Sequence, residues 1–389
     1  MRLRTLPAGK DMFNNGICSK HKTTILVILA VLIIKVTLFV WAAYHFNFVA
    51  HPRNNWLNIW DRWDAGVYKT IAQSSYRFIK IKLDQWSFLS HFPPLYSFTM
   101  AIASRLLGIS LVNAGILVSL ASIIAASILL YKLADLEFKN EQVAWLSVIF
   151  LNLYPISYFT ISIYSESLFL LLAIGSFYCL KKEYHSGSGL AAAGAILTRF
   201  VGAIFIPIYA LYFLRNYKRS GFNLKTLYPF LLSLVGLIIY LIINQFYYGN
   251  YFYFLTDKLS FNTSKHFMLP FKETCFDLLA IFKSSNFWDQ KFMTTRGWNA
   301  IFTLFALVVT GLGLKKINWI YTAYSLSSIL LFSSLSWGIS NARYTLSIFP
   351  MFIVLAFMKN RVLLFATLVI STFMLLYFTK IYTSGVWAF

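Results

Sequence analysis

Long apolar runs, each closed by a short polar stretch, recur from about residue 23 onward. Each approaches the roughly 20 residues that a helix needs to cross the hydrocarbon core. The pattern predicts spans over Thr23–Tyr44, Leu111–Lys132, Val143–Ile163, Ser165–Leu180, Thr226–Tyr247, Trp298–Leu314, Trp319–Trp337, Thr345–Met358 and Val362–Thr379. The expected fold class is all-α, a polytopic membrane protein with about nine to eleven transmembrane helices. No internal repeat and no low-complexity segment is visible, so residues 1–389 read as a single integral membrane domain.

The polar stretches between the runs carry "KKEYH" at Lys181, "RNYKRSGFNLK" at Arg215, "KK" at Lys315 and "KNR" at Lys359. Short basic loops favour the cytoplasmic side. With the N-terminus inside, all four fall inside on two conditions. Phe92–Gly108, with its Pro-Pro start and Arg105, must lie in the outer interface. Gly189–Leu214 must enter and leave from one side as two half-helices broken near "TRFVG", the alternative being a straight span. Two long segments, about 47–108 and 249–297, then face outward, as do "YSES" at Tyr164 and "SWGISNARY" at Ser336. The basic start leading into the first run reads as a signal anchor.

Charge changes the picture only in part. Lys and Arg number 34 against 13 Asp and Glu, and 12% of residues are charged. The positive charge is scattered between apolar runs, with no soluble basic domain. It therefore reads as topological signalling and contact with membrane lipids, and not as nucleic-acid binding. Cys18, Cys179 and Cys275 form no ligand or disulfide pattern. No metal site, cofactor or nucleotide-binding glycine loop is expected.

Against this scarcity of acids, "WDRWDAGVYKTIAQSSY" (Trp60–Tyr76) places two aspartates three residues apart. Read as an interfacial helix in the first outer loop, it carries Trp56, Trp60, Trp63, Val67 and Ile71 on one face. Asp61, Asp64 and Tyr68 then share the adjacent face. The aspartates can simply face water, serve as a base for an attacking hydroxyl, or bind a divalent ion. Spacing alone does not separate these roles.

Three further charges stand out. Glu166 in "YSES" suits the first turn of a helix, as a cap or as an acid beside a substrate. Arg199 lies inside an apolar run, where it costs roughly 2.5–3.5 kcal/mol unless it meets water, a partner or a phosphate. It pairs with Glu166 or grips an anionic lipid phosphate. Arg343 starts an outer-face helix, where positive charge gains nothing from the dipole; it is solvated, or it faces an anionic ligand. Lys35, deep in the first run, reads as snorkelling or structural. The segment from Tyr248 to Cys275, with Lys258, Lys265, His266 and Lys272, can lie over a cavity or in the interface. Asn262-Thr263-Ser264 formally fits a glycosylation acceptor.

"RWDAGVYKTIAQSSY" resembles the first outer-loop motif of the PIG-V-like mannosyltransferases, polytopic glycosyltransferases of the GT-C class. Trp63, Asp64, Tyr68, Ile71, Ala72 and Tyr76 match that motif, Ser75 replaces its glycine, and "HFPPLYS" only approximates the segment that follows. "NLYPISYFTISIYSESLFLLL", through Pro155, Tyr164, Ser165 and Glu166, is similar to the next segment. "AAGAILTRFVGAIF", through Arg199 and Gly202, and "NARYTLSIFPMF", through Arg343, Tyr344 and Pro350, are similar to two later ones.

The resemblance implies a GT-C-like fold and a mannosyltransferase that uses a polyprenyl- or dolichyl-phosphate sugar. It acts with inversion on a glycan or glycolipid hydroxyl at the non-cytoplasmic face. It implies Asp64 as base, with Asp61, Glu166, Arg199, Arg343, Tyr68 and Tyr164 orienting substrates or holding the phosphate. The host membrane is a bacterial or archaeal plasma membrane, or the endoplasmic reticulum. A transporter or lipid flippase would explain the helices equally well, but it predicts internal repeats and midplane charges in matching halves.

Overall fold

A computed structural model describes residues 10–51, 55–77, 88–256, 267–283, 289, 292–336 and 338–389. Lys258, Lys265, His266 and the Asn262-Thr263-Ser264 triplet lie outside the described residues. The chain is a polytopic helical membrane protein. The helices His21–His45, Leu111–Phe138, Phe200–Ser220, Leu224–Tyr248, Met293–Gly313 and Arg361–Thr383 are long and apolar enough to cross a membrane. Among the described residues no strand forms, only an isolated bridge between Phe267 and Leu335.

Several expected spans turn out shorter, for identifiable reasons. The run Val143–Ile163 is helical only over Glu141–Leu153. Pro155 disfavours helical backbone at the residue before it, and Tyr154 turns extended at φ −56°, ψ 137°. The chain then continues through the turn Ser157–Thr160, every residue of it buried. Non-helical backbone this deep must find its hydrogen bonds in protein. The Ser119 hydroxyl donates to the Ser162 carbonyl at 2.7 Å, and that of Ser167 to the Thr160 carbonyl at 2.7 Å. The expected span Thr345–Met358 is a helix only over Phe349–Ala356, all of it buried, and at about 1.5 Å per residue too short to cross a bilayer. The run from Trp319 ends at Ser333. Leu95–Leu107 is likewise too short to span. Lys35 does not snorkel: it is fully buried, with its amine 3.4 Å from the Asn152 carbonyl.

The run through Arg199 folds back on itself. His185–Thr198 ends where Arg199 turns extended, a short turn over Phe200–Ile204 follows, and Phe205–Ser220 runs back alongside. The Ser188 and Tyr209 hydroxyls meet at 2.9 Å between the two legs. Gly202 makes the reversal possible, because a Cβ there would sit 2.7 Å from the Ala195 backbone. Gly236 meets the Ala193 backbone equally closely, so Leu224–Tyr248 packs against His185–Thr198 through small residues.

Charge is segregated by this arrangement. Glu137 pairs with Lys181 at 2.7 Å, the Arg215 guanidinium lies 4.8 Å over Trp319, and Phe138 meets Phe357 at 5.0 Å. These contacts gather the basic loops at one end of the bundle. Glu166 begins the helix whose last residue is Lys181, so it lies about 22 Å away, at the other end.

At that other end the backbone of Met268 and Phe271 donates to the Ser334 and Ser333 carbonyls at 2.8 and 3.1 Å. The helix Lys272–Lys283 follows, with Asp277 buried and Arg296 3.9 Å away. Burial pushes the Asp277 carboxyl up to about 7, Glu273 adds to the rise, and Arg296 opposes it. Between the ordinary carboxylate value and about 7, the folded segment keeps a proton that an undocked one has released. Its docking should therefore weaken as pH rises through that window. Hydrogen exchange over 272–283, corrected for intrinsic rates, should show more protection at pH 5 than at pH 8. Asp277→Asn should flatten the difference; a wild-type profile without pH dependence would contradict this.

Candidate active site

The opening stretch is not one helix. Asn58–Trp60 forms a single tight turn, Asp61 and Arg62 are irregular, and the helix runs only over Ala65–Ser74. Asp61 and Asp64 therefore do not share a helical face, and the tryptophans form no common stripe. Trp60 is fully buried, edge-on to Phe39 at 5.1 Å, while Trp56 and Trp63 are exposed. What breaks the helix is Trp63, held at φ +51°, a left-handed value rare for a bulky residue. Ser75, which replaces the glycine of the resembled motif, ends the helix at φ +54°, the left-handed closing position that glycine usually fills.

The turn at Trp63 sends the two aspartates apart. Asp61 forms an ion pair with Lys69. Asp64 points the other way, its Oδ2 2.7 Å from a terminal nitrogen of Arg343. Tyr164 pins the turn: its hydroxyl donates to the Arg62 carbonyl at 3.1 Å and accepts from the Asp64 N–H at 3.2 Å. Tyr164→Phe removes both bonds, at about 1 kcal/mol each, and should lower the Tm measurably. An unchanged Tm would mean that the turn holds without this hydroxyl.

Behind Asp64 the other charges close on one another. Glu166, buried in the first turn of its helix, is ion-paired with Arg199 at the hairpin break and lies 3.0 Å from Nε of Arg343. Arg199 also donates to the Ser165 hydroxyl at 3.3 Å, and that hydroxyl meets Tyr68 at 2.8 Å. The Arg343 guanidinium lies against the Tyr164 and Phe159 rings at 5.2 and 5.5 Å, and Arg199 lies 5.3 Å over Tyr344. Arg343 is only 6% exposed, so it is no solvated loop arginine. Two acids and two arginines balance formally, which is what buried charges require. The Ser165 side chain makes no cap bond, and the Glu166 carboxylate is spent on the arginines.

In front of this cluster lies a cavity of about 150 Å³. Asp64, Tyr68, Arg199 and Arg343 line it, while Tyr164, Glu166 and Asp61 do not. It is smaller than the roughly 300–1,000 Å³ of common ligand sites, so it suits a reacting headgroup whose remainder extends beyond the mouth. His91, Tyr344 and Trp387 are among its other wall residues. His91 sits in the quoted "HFPP" segment and Tyr344 beside Arg343, but nothing in the sequence signals Trp387. Among the described residues no three His, Cys, Asp or Glu side chains group as a metal cradle.

One family model matches part of the chain. Residues 91–243 fit the family described as dolichyl-phosphate-mannose-protein mannosyltransferase. The matched stretch contains His91, Glu166 and Arg199 and leaves Asp64 and Arg343 outside it. No curated protein matches the chain. Among solved structures, it is similar to the Archaeoglobus fulgidus oligosaccharyltransferase tethered to an acceptor peptide. Identity there is 11% and the TM-score 0.46, over 93% of this chain and 55% of that one. It is also similar to ArnT from Cupriavidus metallidurans, at 12% identity and TM-score 0.47, over 90% and 62%. A third is the A. fulgidus enzyme AglB with an inhibitory peptide and a dolichol-phosphate, at 12% identity and TM-score 0.44, over 95% and 56%. The chain thus spans little more than half the length of these structures.

Proposed function

We propose that the protein is a GT-C-class glycosyltransferase that moves a sugar, mannose by resemblance, from a polyprenyl or dolichyl phosphate to an acceptor hydroxyl. The observation that carries the reading is Asp64 held by Arg343 at a cavity that Arg199, at the hairpin apex, also lines. Asp64 takes the proton of the acceptor hydroxyl. The freed oxygen attacks the anomeric carbon, and the bond from that carbon to the phosphate oxygen breaks with inversion. The departing phosphate keeps the electron pair and is met by Arg199, whose planar fork suits phosphate oxygens. Arg343 orients the base, and Glu166 balances both arginines. Base and leaving-group holder then flank one carbon, where orientation does most for the rate. The partial match to a mannosyltransferase family supports the same reading.

The test is to incubate purified protein with radiolabelled polyprenyl-phosphate sugars and host lipid extract, and to follow the label. Transfer from the mannose donor is expected, and Arg199→Ala should weaken donor binding by about tenfold or more, since charge-assisted contacts are worth roughly 1.5–3 kcal/mol. No transfer from any lipid-phosphate sugar, with the donor unbound, would overturn the proposal. The gathering of basic loops at the far end supports a reaction on the non-cytoplasmic face. In sealed vesicles a cysteine introduced beside Asp64 should react with an impermeant thiol reagent only from that side.

A further inference from the structure

A second cavity, of about 520 Å³, opens at the end of the bundle where the basic loops gather. Its volume falls within the range of common ligand sites, unlike that of the cavity beside Asp64. Lys132 and Asp135 reach it from the end of Leu111–Phe138, and Glu141 from the start of the next helix. Lys182 reaches it from just beyond Glu166–Lys181, and Val27 from the first span. Two positive and two negative side chains thus line one space. Among the described residues none of the four enters an ion pair. Lys132 and Asp135 stand three residues apart on one helix, a spacing that allows a pair, and they do not form it. The same two helices do pair one turn away, where Glu137 meets Lys181 at 2.7 Å. Glu141 accepts from the Tyr131 hydroxyl at 3.4 Å, and the Tyr131 ring is set edge-on against Trp145 at 5.4 Å.

We propose that this cavity binds the headgroup of a zwitterionic phospholipid with a primary ammonium, phosphatidylethanolamine in chemical class. The ammonium lies with Asp135 and Glu141, and the phosphate with Lys132 and Lys182. With His21 counted neutral, the charged wall sums to zero, so a ligand of zero net charge and separated poles satisfies both signs. An anionic headgroup gains from the lysines but must also face two carboxylates. A primary ammonium has three N–H donors for those carboxylates, whereas a trimethylated one has none. The wall also continues along Val27 and Ile128 into two membrane spans, a path that suits an acyl chain and that a water-soluble zwitterion leaves unused. The site stands at the end of the bundle away from Asp64 and takes no part in the transfer chemistry.

Native mass spectrometry of the full chain in detergent, with equal amounts of dioleoyl phosphatidylethanolamine, phosphatidylcholine and phosphatidylglycerol, reads the preference. The wild type should retain phosphatidylethanolamine about tenfold over either competitor, the scale of one charge-assisted hydrogen bond. Asp135→Asn with Glu141→Gln removes both ammonium partners and leaves the lysines unbalanced. Retention of phosphatidylethanolamine should then fall about tenfold, and phosphatidylglycerol should overtake it. Lys132→Met with Lys182→Met should weaken phosphatidylethanolamine without that reversal. Lys218→Met with Arg219→Met, in another basic loop, should change nothing. All these side chains are exposed, so the variants should fold, as gel filtration will check; should the double acid variant fail, Asp135→Asn carries the comparison. Equal retention of the three lipids by the wild type, an unchanged preference in the acid variant, or an equal shift in the control would each overturn the assignment. Soluble glycerophosphoethanolamine should compete only at far higher concentration than the lipid. Equal potency would make the ligand a water-soluble zwitterion and overturn the lipid.

Discussion

Asp64→Asn should lower sugar transfer by about 10²–10⁴-fold, the usual contribution of a general base, while donor affinity stays near wild type. The amide keeps the shape of the carboxylate but cannot take the proton of the acceptor. The fold should survive, because Arg343 keeps Glu166 as counter-ion 3.0 Å away and its contacts with the Tyr164 and Phe159 rings. Donor binding should survive because the phosphate is assigned to Arg199. Asp61→Asn is the control: it breaks a partly exposed pair with Lys69, an interaction worth about 0–1 kcal/mol. Initial rates at saturating donor, with donor affinity measured separately, compare the two. Full transfer by Asp64→Asn, or greater damage from Asp61→Asn, would identify the wrong carboxylate.

Glu166→Gln should have the largest effect on stability. The carboxylate serves Arg199 and Arg343 together and is only 3% exposed. Without it, Arg199 keeps only hydroxyl and ring contacts. Breaking a buried pair by removing one partner costs about 3–5 kcal/mol, most of it from the stranded charge, a large share of the roughly 5–15 kcal/mol that holds a typical protein folded. The companion variant decides the cause. Glu166→Gln with Arg199→Gln removes one charge of each sign, so it should recover much of the lost Tm. A double variant no better than the single one would mean that the carboxylate acts through shape or local hydrogen bonds.

Much of the site was legible because charge is conspicuous in an apolar chain. Arg199 could be found from its position inside a hydrophobic run, and the two readings offered for it are compatible in the structure: it pairs with Glu166 and also lines the cavity. Helix interiors such as Leu224–Tyr248 followed directly from run length. Periodicity misled at Trp60–Tyr76, because the spacing of tryptophans fits a helix that the backbone at Trp63 does not allow. Run length misled at Val143–Ile163, since a buried, hydrogen-bonded irregular segment is as apolar as a span. Trp387 was invisible for another reason: its neighbour Trp63 is hundreds of residues away, and only the folded chain brings them together.

The order in which the charges are made follows from their places in the chain. A polytopic protein enters the membrane from its N-terminus, so Asp64, Glu166 and Arg199 are all inserted before Arg343 exists. Until the helix Asn341–Thr345 arrives, Asp64 lacks the guanidinium that holds it, and the growing bundle carries one acid too many. Arrival of Arg343 restores neutrality and joins the Asp64 turn to the late helices in one step. Maturation of the site during biosynthesis is thus a late, charge-closing event, and an intermediate stalled before residue 343 would display an unpaired carboxylate at the cavity mouth.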